Sequence, residues 1–173
     1  KIDTFGVGER LVTSKSEPVF GGVYKLSAIE ENGELVPRIK ISENVGKITN
    51  PAHKAVWRLF DNETGKAIAD VITLADETID DSKPYVIFDP IQTFKKKTVK
   101  NFTAKKLQEQ IFRNGECIYP DYTADELKKY CETQLETIWD EVKRFENPHE
   151  YYVDLSQKLY DIKHSMLDKY FDN

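Results

Sequence analysis

Up to about residue 122 the apolar residues of this chain come in short β-prone runs, cut by turn residues. From Thr123 onward they recur at helical spacing. That switch of period constrains the fold most: hairpins first, amphipathic helices after, an α+β arrangement. Asn32-Gly33 is a hairpin turn signal between Val23–Ile29 and a return strand over Val36–Ile41, with Pro37 near its start. Ala55–Phe60, Ala67–Leu74 and Tyr85–Phe88 read as further strands, the first two joined through Asn62–Gly65. Phe102, Ala104, Leu107 and Ile111 suit either a strand pair or a short helix before Asn114-Gly115.

In the last third, Thr123 with Glu126 three residues on is a capping-box signal. Leu127, Cys131, Leu135, Ile138, Val142 and Phe145 then lie on one helical face, and the helix is expected to stop before Asn147-Pro148. A second helix is expected from near Asp154, with Leu155, Leu159, Ile162 and Met166 on its apolar face, antiparallel to the first.

The 173 residues suffice for one domain or a small domain with an appendage. Aromatic residues at 12% exclude a disordered segment, and no apolar run is long enough to span a membrane. Two cysteines, Cys117 and Cys131, form no disulfide framework and no C-x-x-C pattern, so reduced thiols in the cytoplasm are expected. The net charge of −5 hides a basic stretch: Lys95, Lys96, Lys97, Lys100, Lys105, Lys106 and Arg113 face a single acid, Glu109. Without an RNA-binding aromatic signature, and with an acidic C-terminal half, that stretch reads as a solvated β surface whose lysines deter edge pairing. No nucleic-acid partner and no membrane are expected.

The chemistry-bearing candidate is the start. Thr4-Phe5 runs into Gly6-Val7-Gly8, the kind of bare turn that follows a strand and lets main-chain N–H groups converge on a phosphate. No methionine opens the chain, whose one Met is Met166. A strand end with nothing before it suggests the C-terminal part of a larger enzyme, cut just before the end of its phosphate site. Gly46-Lys47 lacks the first glycine of a nucleotide loop and has Ile48 where Ser or Thr belongs, so it reads as a connection. His53, His149 and His164 form no metal pattern. Asp76-Glu77 and Asp80-Asp81 read as solvated loop, and Trp57 and Trp139 as packing residues.

Several blocks together resemble nicotinate phosphoribosyltransferase. Ile2–Gly8 followed by Arg10-Leu11-Val12-Thr13 is similar to the last barrel-strand motif of that family, and Gly21–Leu26 to the segment that leaves the barrel. Arg38–Glu43 with Gly46–Thr49, then Pro51, Lys54 and Arg58 in a P-G-x-K-x-x-x-R pattern, resemble its next signatures, as do Glu146–His149 and Val153–Ser156. The resemblance implies the C-terminal part of a type II phosphoribosyltransferase, an α/β barrel with a flanking domain. Residues 1–20 would end the barrel, 21–122 would form the β-rich flanking domain, and 123–173 the helical pair. It implies an enzyme that joins nicotinate to phosphoribosyl pyrophosphate with hydrolysis of ATP, using Mg, to make nicotinate mononucleotide for NAD synthesis as a homodimer.

By that resemblance Gly6, Val7 and Gly8 bind phosphate, with Arg10 and Lys25 as charge complements. The catalytic and base-selecting residues lie upstream, so no catalytic residue, no metal and no bound cofactor are expected here, and these residues alone should be inactive. Two departures stand out: Glu9 follows the second glycine, and Ala52-His53 replaces the glycine-containing step after Pro51. Two other readings stay open at this point. One is a self-standing interaction module built on the helices. The other is a related enzyme acting on nicotinamide or quinolinate.

Overall fold

A computed structural model describes residues 2–13 and 21–171; the polar run Thr13–Pro18 reads in the sequence as a connection, and residues 14–18 of it lie outside these. After a single 3-10 turn at Glu9–Leu11, the chain forms a hairpin of β1 (Ala28–Glu31) and β2 (Glu34–Pro37). Asn32 and Gly33 take φ of 55° and 85°, the left-handed pair that a two-residue turn matched to strand twist requires. Both strands are shorter than the sequence suggests. Val23, Tyr24 and Leu26 stay exposed outside β1. The last ladder pair is Ala28–Pro37, a non-hydrogen-bonded position where the missing N–H of Pro37 is not needed; the flanking bond runs from Arg38 N to the Ser27 carbonyl, which also accepts from Ala52 N.

The centre is a four-stranded sheet in the order β10-β4-β3-β7. It contains β3 (Lys54–Asp61), β4 (Ala67–Leu74), β7 (Phe102–Lys106) and β10 (Val153–Leu155). β3 runs antiparallel to both β4 and β7, whereas β10 runs parallel to β4. The β3–β4 turn closes on Asp61, whose carboxylate accepts from the N–H groups of Glu63 and Thr64. A second hairpin, β5 (Tyr85–Phe88) with β6 (Lys96–Val99), lies over one face. Leu59, Ala69, Val71, Ile79, Ile87, Val99 and Phe102 form the core between them. Each large side chain among these contributes roughly 1.5–3 kcal/mol by leaving water. Of the ambiguous residues, Phe102 and Ala104 are therefore in a strand, with Val99 and Phe102 buried on either side of a turn at Asn101, while Leu107 and Ile111 lie in neither strand nor helix. A small hairpin, β8 (Phe112–Arg113) and β9 (Glu116–Cys117), follows around Asn114-Gly115. The lysines of β6 and β7 are exposed on these outer strands.

The first expected helix, α1 (Ala124–Glu136), starts with the capping box of Thr123 and Glu126. It does not run to Phe145. It ends where β4 begins: the Thr137 carbonyl accepts from Ala67 N (2.8 Å), and Trp139 Nε1 donates to the Ala67 carbonyl (2.9 Å). These bonds hold Trp139 extended, and a one-turn α2 (Asp140–Lys143) restarts after it. The second expected helix, α3 (Gln157–Phe171), begins after Asp154 and not at it, because Asp154 belongs to β10. Ser156 caps α3, its Oγ accepting from Leu159 N, and Leu159 is fully buried as α3 packs on β4.

Candidate functional site

The glycine turn lies bare on the surface. Residues 2–12 are all exposed, and Gly8 begins the 3-10 turn with φ −73° and ψ 152°, a conformation open to any residue. Neither Gly6 nor Gly8 has a positive φ, and a Cβ built on either meets nothing within 4 Å. Nothing in the described chain therefore requires glycine at these two positions. The N–H groups of Leu11, Val12 and Thr13 are spent on the turn itself, donating to the Gly8 and Glu9 carbonyls. Arg10 is exposed beside the turn. Lys25 lies elsewhere: it lines an open groove of about 1270 Å³ with Arg38, Lys40 and Met166 of α3, and residues 6, 7, 8 and 10 do not line that groove.

The P-G-x-K-x-x-x-R block has a structural explanation. Ala52 takes φ +71°, the left-handed conformation natural to the glycine expected there. Lys54 Nζ donates to the Pro51 and Ala52 carbonyls at 3.2 and 2.6 Å, bracing that turn. Arg58 forks onto Asp70 across the β3–β4 ladder. Tyr151 adds a third arm, donating from its hydroxyl to Asp70 Oδ1 at 2.9 Å under the Arg58 guanidinium. The Asp70 hydrogen bond holds the Arg58 pKa above its ordinary value, while burial, with Asp70 beside it, pushes the Tyr151 hydroxyl up. These bonds tie β3 to β4 and to the segment that leads into β10.

Asp154 was placed by sequence reasoning at a helix start, and its chemistry was missed. It pairs with Val71 in the β10–β4 register and is only 4% exposed. Its carboxylate has no hydrogen-bond donor among the described residues. It borders a cavity of about 300 Å³ together with Ile68, Phe88, Tyr152 and residues 95–97. Burial, and then the carboxylate of Asp89, push its pKa up to about 6. No local sequence pattern announces this, since it depends on the β5–β6 hairpin folding back over β10.

The three histidines stay apart from any such centre. His164 stacks on Tyr160 at 3.8 Å between ring centroids, and His53 and His149 are exposed. Among the described residues no group of three or more His, Cys, Asp or Glu is placed to hold a metal ion, and no helix is long and apolar enough to cross a membrane.

Comparison with known proteins gives a consistent picture. The family model described as nicotinate phosphoribosyltransferase C-terminal domain matches residues 53–163. A nicotinate phosphoribosyltransferase of Bacillus subtilis is 41% identical over 163 residues, which are 94% of this chain and 33% of that protein. The human protein of the same name is 28% identical over 166 residues, 96% of this chain and 30% of its own length. The chain thus spans about a third of the length of the curated relatives it matches. A crystal structure of human nicotinic acid phosphoribosyltransferase superposes with a TM-score of 0.64 at 23% identity, over 78% of this chain and 26% of that one, a likeness of fold.

Proposed function

This chain belongs to the nicotinate phosphoribosyltransferase family through its C-terminal domain, and we propose that it serves the reaction named by that family. In that reading it is part of an enzyme that joins nicotinate to phosphoribosyl pyrophosphate, with ATP hydrolysis, to give nicotinate mononucleotide for NAD synthesis. Residues 2–13 supply a piece of the phosphate rim, and the sheet with α3 forms the flanking domain.

The single observation that carries the role of the rim is the unexplained bareness of Gly6 and Gly8. Their backbone angles tolerate any side chain and no neighbour crowds them. Two glycines that the chain does not need for itself suit close approach by another group, and a phosphate taking main-chain N–H donors near Val7 and Gly8 is such a group. Arg10 and Lys25 add positive charge. ATP and Mg supply phosphoryl transfer in such a reaction. The described residues contain no acidic or histidine cluster for the metal, so no step through it is assigned to them. The bonds to the base and to the catalytic residues belong to parts of such an enzyme outside these 173 residues, which alone are expected to be inactive.

Two free, exposed cysteines suit the reducing cytoplasm. A homodimer fits α1, which has an amphipathic pattern yet buries none of its residues.

The test is a chimera. These residues replace the corresponding segment of the Bacillus subtilis relative, and nicotinate mononucleotide formation is followed. The chimera is expected to be active, and Gly6→Ala with Gly8→Ala to raise KM for phosphoribosyl pyrophosphate about tenfold. An unchanged KM overturns the role of the glycines. Turnover by the 173 residues alone overturns the expected inactivity.

A further inference from the structure

Where the segments flanking the β8–β9 hairpin meet the first turns of α1, they leave a hollow of about 390 Å³, a size that suits a small organic molecule. It plays no part in the glycine turn or the ion-pair cluster. Three tyrosines line it: Tyr119 and Tyr122 from the segment before α1, and Tyr130 from α1 itself. The Tyr119 and Tyr122 rings stand 5.4 Å apart between centroids with their planes 72° apart, so they meet as two adjoining walls. All three tyrosines are exposed, and none belongs to the core. Ile111 and Leu127 add apolar lining. The charged residues at the hollow have one sign. They are Glu109 and Glu126, and no lysine, arginine or histidine lines it among the described residues. The N–H of Thr123, then its hydroxyl, hold the Glu126 carboxyl below its usual range, both bonding to Oε2 at 2.8 and 2.7 Å. Glu109 closes no ion pair within 4 Å among the described residues. Desolvation, then Glu109, Tyr122 and Tyr130, hold the Tyr119 hydroxyl above its ordinary value, so the rings and this acid act within reach of one another.

We propose that this hollow binds a small methylated ammonium ion of the quaternary class, held by the rings of Tyr119, Tyr122 and Tyr130 and by the negative field of Glu109 and Glu126. An aromatic ring attracts a cation to its face, and several rings around one space are the usual means of holding a quaternary ammonium group. The alternatives fit less well. An anion meets two carboxylates and no positive residue. A metal ion lacks the third ligand it needs. A primary ammonium brings three N–H donors and a tight hydration shell, and Glu126 Oε2 is already taken. A methylated ammonium needs no acceptor and covers the apolar lining with its methyl groups. The positive end of α1 opposes a cation, but Asp125 and Glu126 in the first turn offset it.

The experiment titrates the 173-residue chain, labelled with nitrogen-15, with choline at pH 7.5. Two controls separate charge from shape: dimethylbutanol, the uncharged isostere of choline, and ethanolamine, its unmethylated ammonium. Saturable shifts are expected at the amides of residues 109–111, 119–122 and 126–130, with each control at least about tenfold weaker. Tyr130→Leu keeps an apolar side chain at an exposed position but removes the ring, and should weaken choline about tenfold. Tyr130→Phe keeps the ring and should bind within about twofold of the parent. Tyr122→Leu repeats the test away from α1 and decides the matter should Tyr130→Leu disturb the helix. Dimethylbutanol binding as tightly as choline overturns the proposal. So does the absence of saturable shifts with choline, or unaltered affinity in both leucine variants. Phosphatidylcholine vesicles carry the same head group on a membrane; vesicles that sediment the chain while choline shifts nothing would overturn a small-molecule site in favour of a lipid surface. Shifts at the same amides on raising protein concentration, with choline inert, would overturn it in favour of a second copy of the chain. None of these results bears on the chimera, which reports on the glycine turn alone.

Discussion

Arg58 and Asp70 stand directly opposite each other in the β3–β4 register, and their side chains join at two points: Nε to Oδ1 at 2.8 Å and Nη2 to Oδ2 at 2.9 Å. Both are largely shielded, with side-chain exposures of 19% and 11%. A shielded pair costs more to break than it contributes over an apolar replacement, because the survivor is left charged and unsolvated. Asp70→Ala is therefore expected to lose about 3 kcal/mol. Arg58→Met with Asp70→Leu should lose less than that single change. Urea unfolding of the three proteins checks the order. A double variant less stable than Asp70→Ala would mean that the pair itself carries the stability.

Ala52 sits at φ +71°, where an L side chain costs roughly 1–2 kcal/mol. Replacing it with glycine relieves that strain but adds unfolded-state freedom worth about 0.5–1 kcal/mol. The difference favours glycine. Ala52→Gly should raise stability by about 0.5–1 kcal/mol, seen as a higher urea midpoint at unchanged slope. The small methyl of this 6%-exposed residue leaves little packing to lose.

That position also illustrates what the sequence could reveal. The alanine was visible as a departure from a glycine-bearing pattern, which argued against a tight turn there; the turn forms all the same, with Ala52 held at positive φ. Asn32-Gly33 and the Thr123–Glu126 capping box were legible because each is a local device whose chemistry lies within four residues. The early end of α1 was not. It depends on Thr137 and Trp139 bonding to Ala67, some seventy positions away, and no helical period encodes that. Asp154 was hidden likewise, since a three-residue parallel strand inserted between helices has no hairpin turn to announce it.

The raised pKa of Asp154 makes a stability prediction with a definite sign. Its folded value of about 6 lies above the ordinary carboxylate value of 3.8, so the folded state holds the proton more tightly than the unfolded chain does. The favourable contribution of this group is complete below pH 4 and is lost as pH rises from about 4 through 6. Asp154→Asn removes the titration. The variant should be more stable than the parent above pH 6, by on the order of 2 kcal/mol, and nearly equal to it at pH 4. Urea midpoints measured at both pH values provide the check; a parent that gains stability relative to the variant between pH 4 and 6 would contradict the assignment.

The cap of α1 separates local from global stability. Thr123 Oγ1 accepts from Glu126 N, and the Glu126 carboxylate accepts from Thr123 N at 2.8 Å, so the two residues satisfy one another's backbone donors. Removing such a cap costs about 1 kcal/mol. In a helix packed on the core, that loss would appear in the global unfolding midpoint. α1 buries none of its residues, so its unfolding exposes little surface that is not already wet. Isolated helices of this length are marginal in water. Thr123→Ala should therefore lower helical circular dichroism and speed amide exchange within residues 124–136, while β3 and β4 keep the parent's protection. A shift of the whole unfolding transition by the full cap energy would show instead that α1 is tied to the sheet more tightly than its exposed faces suggest.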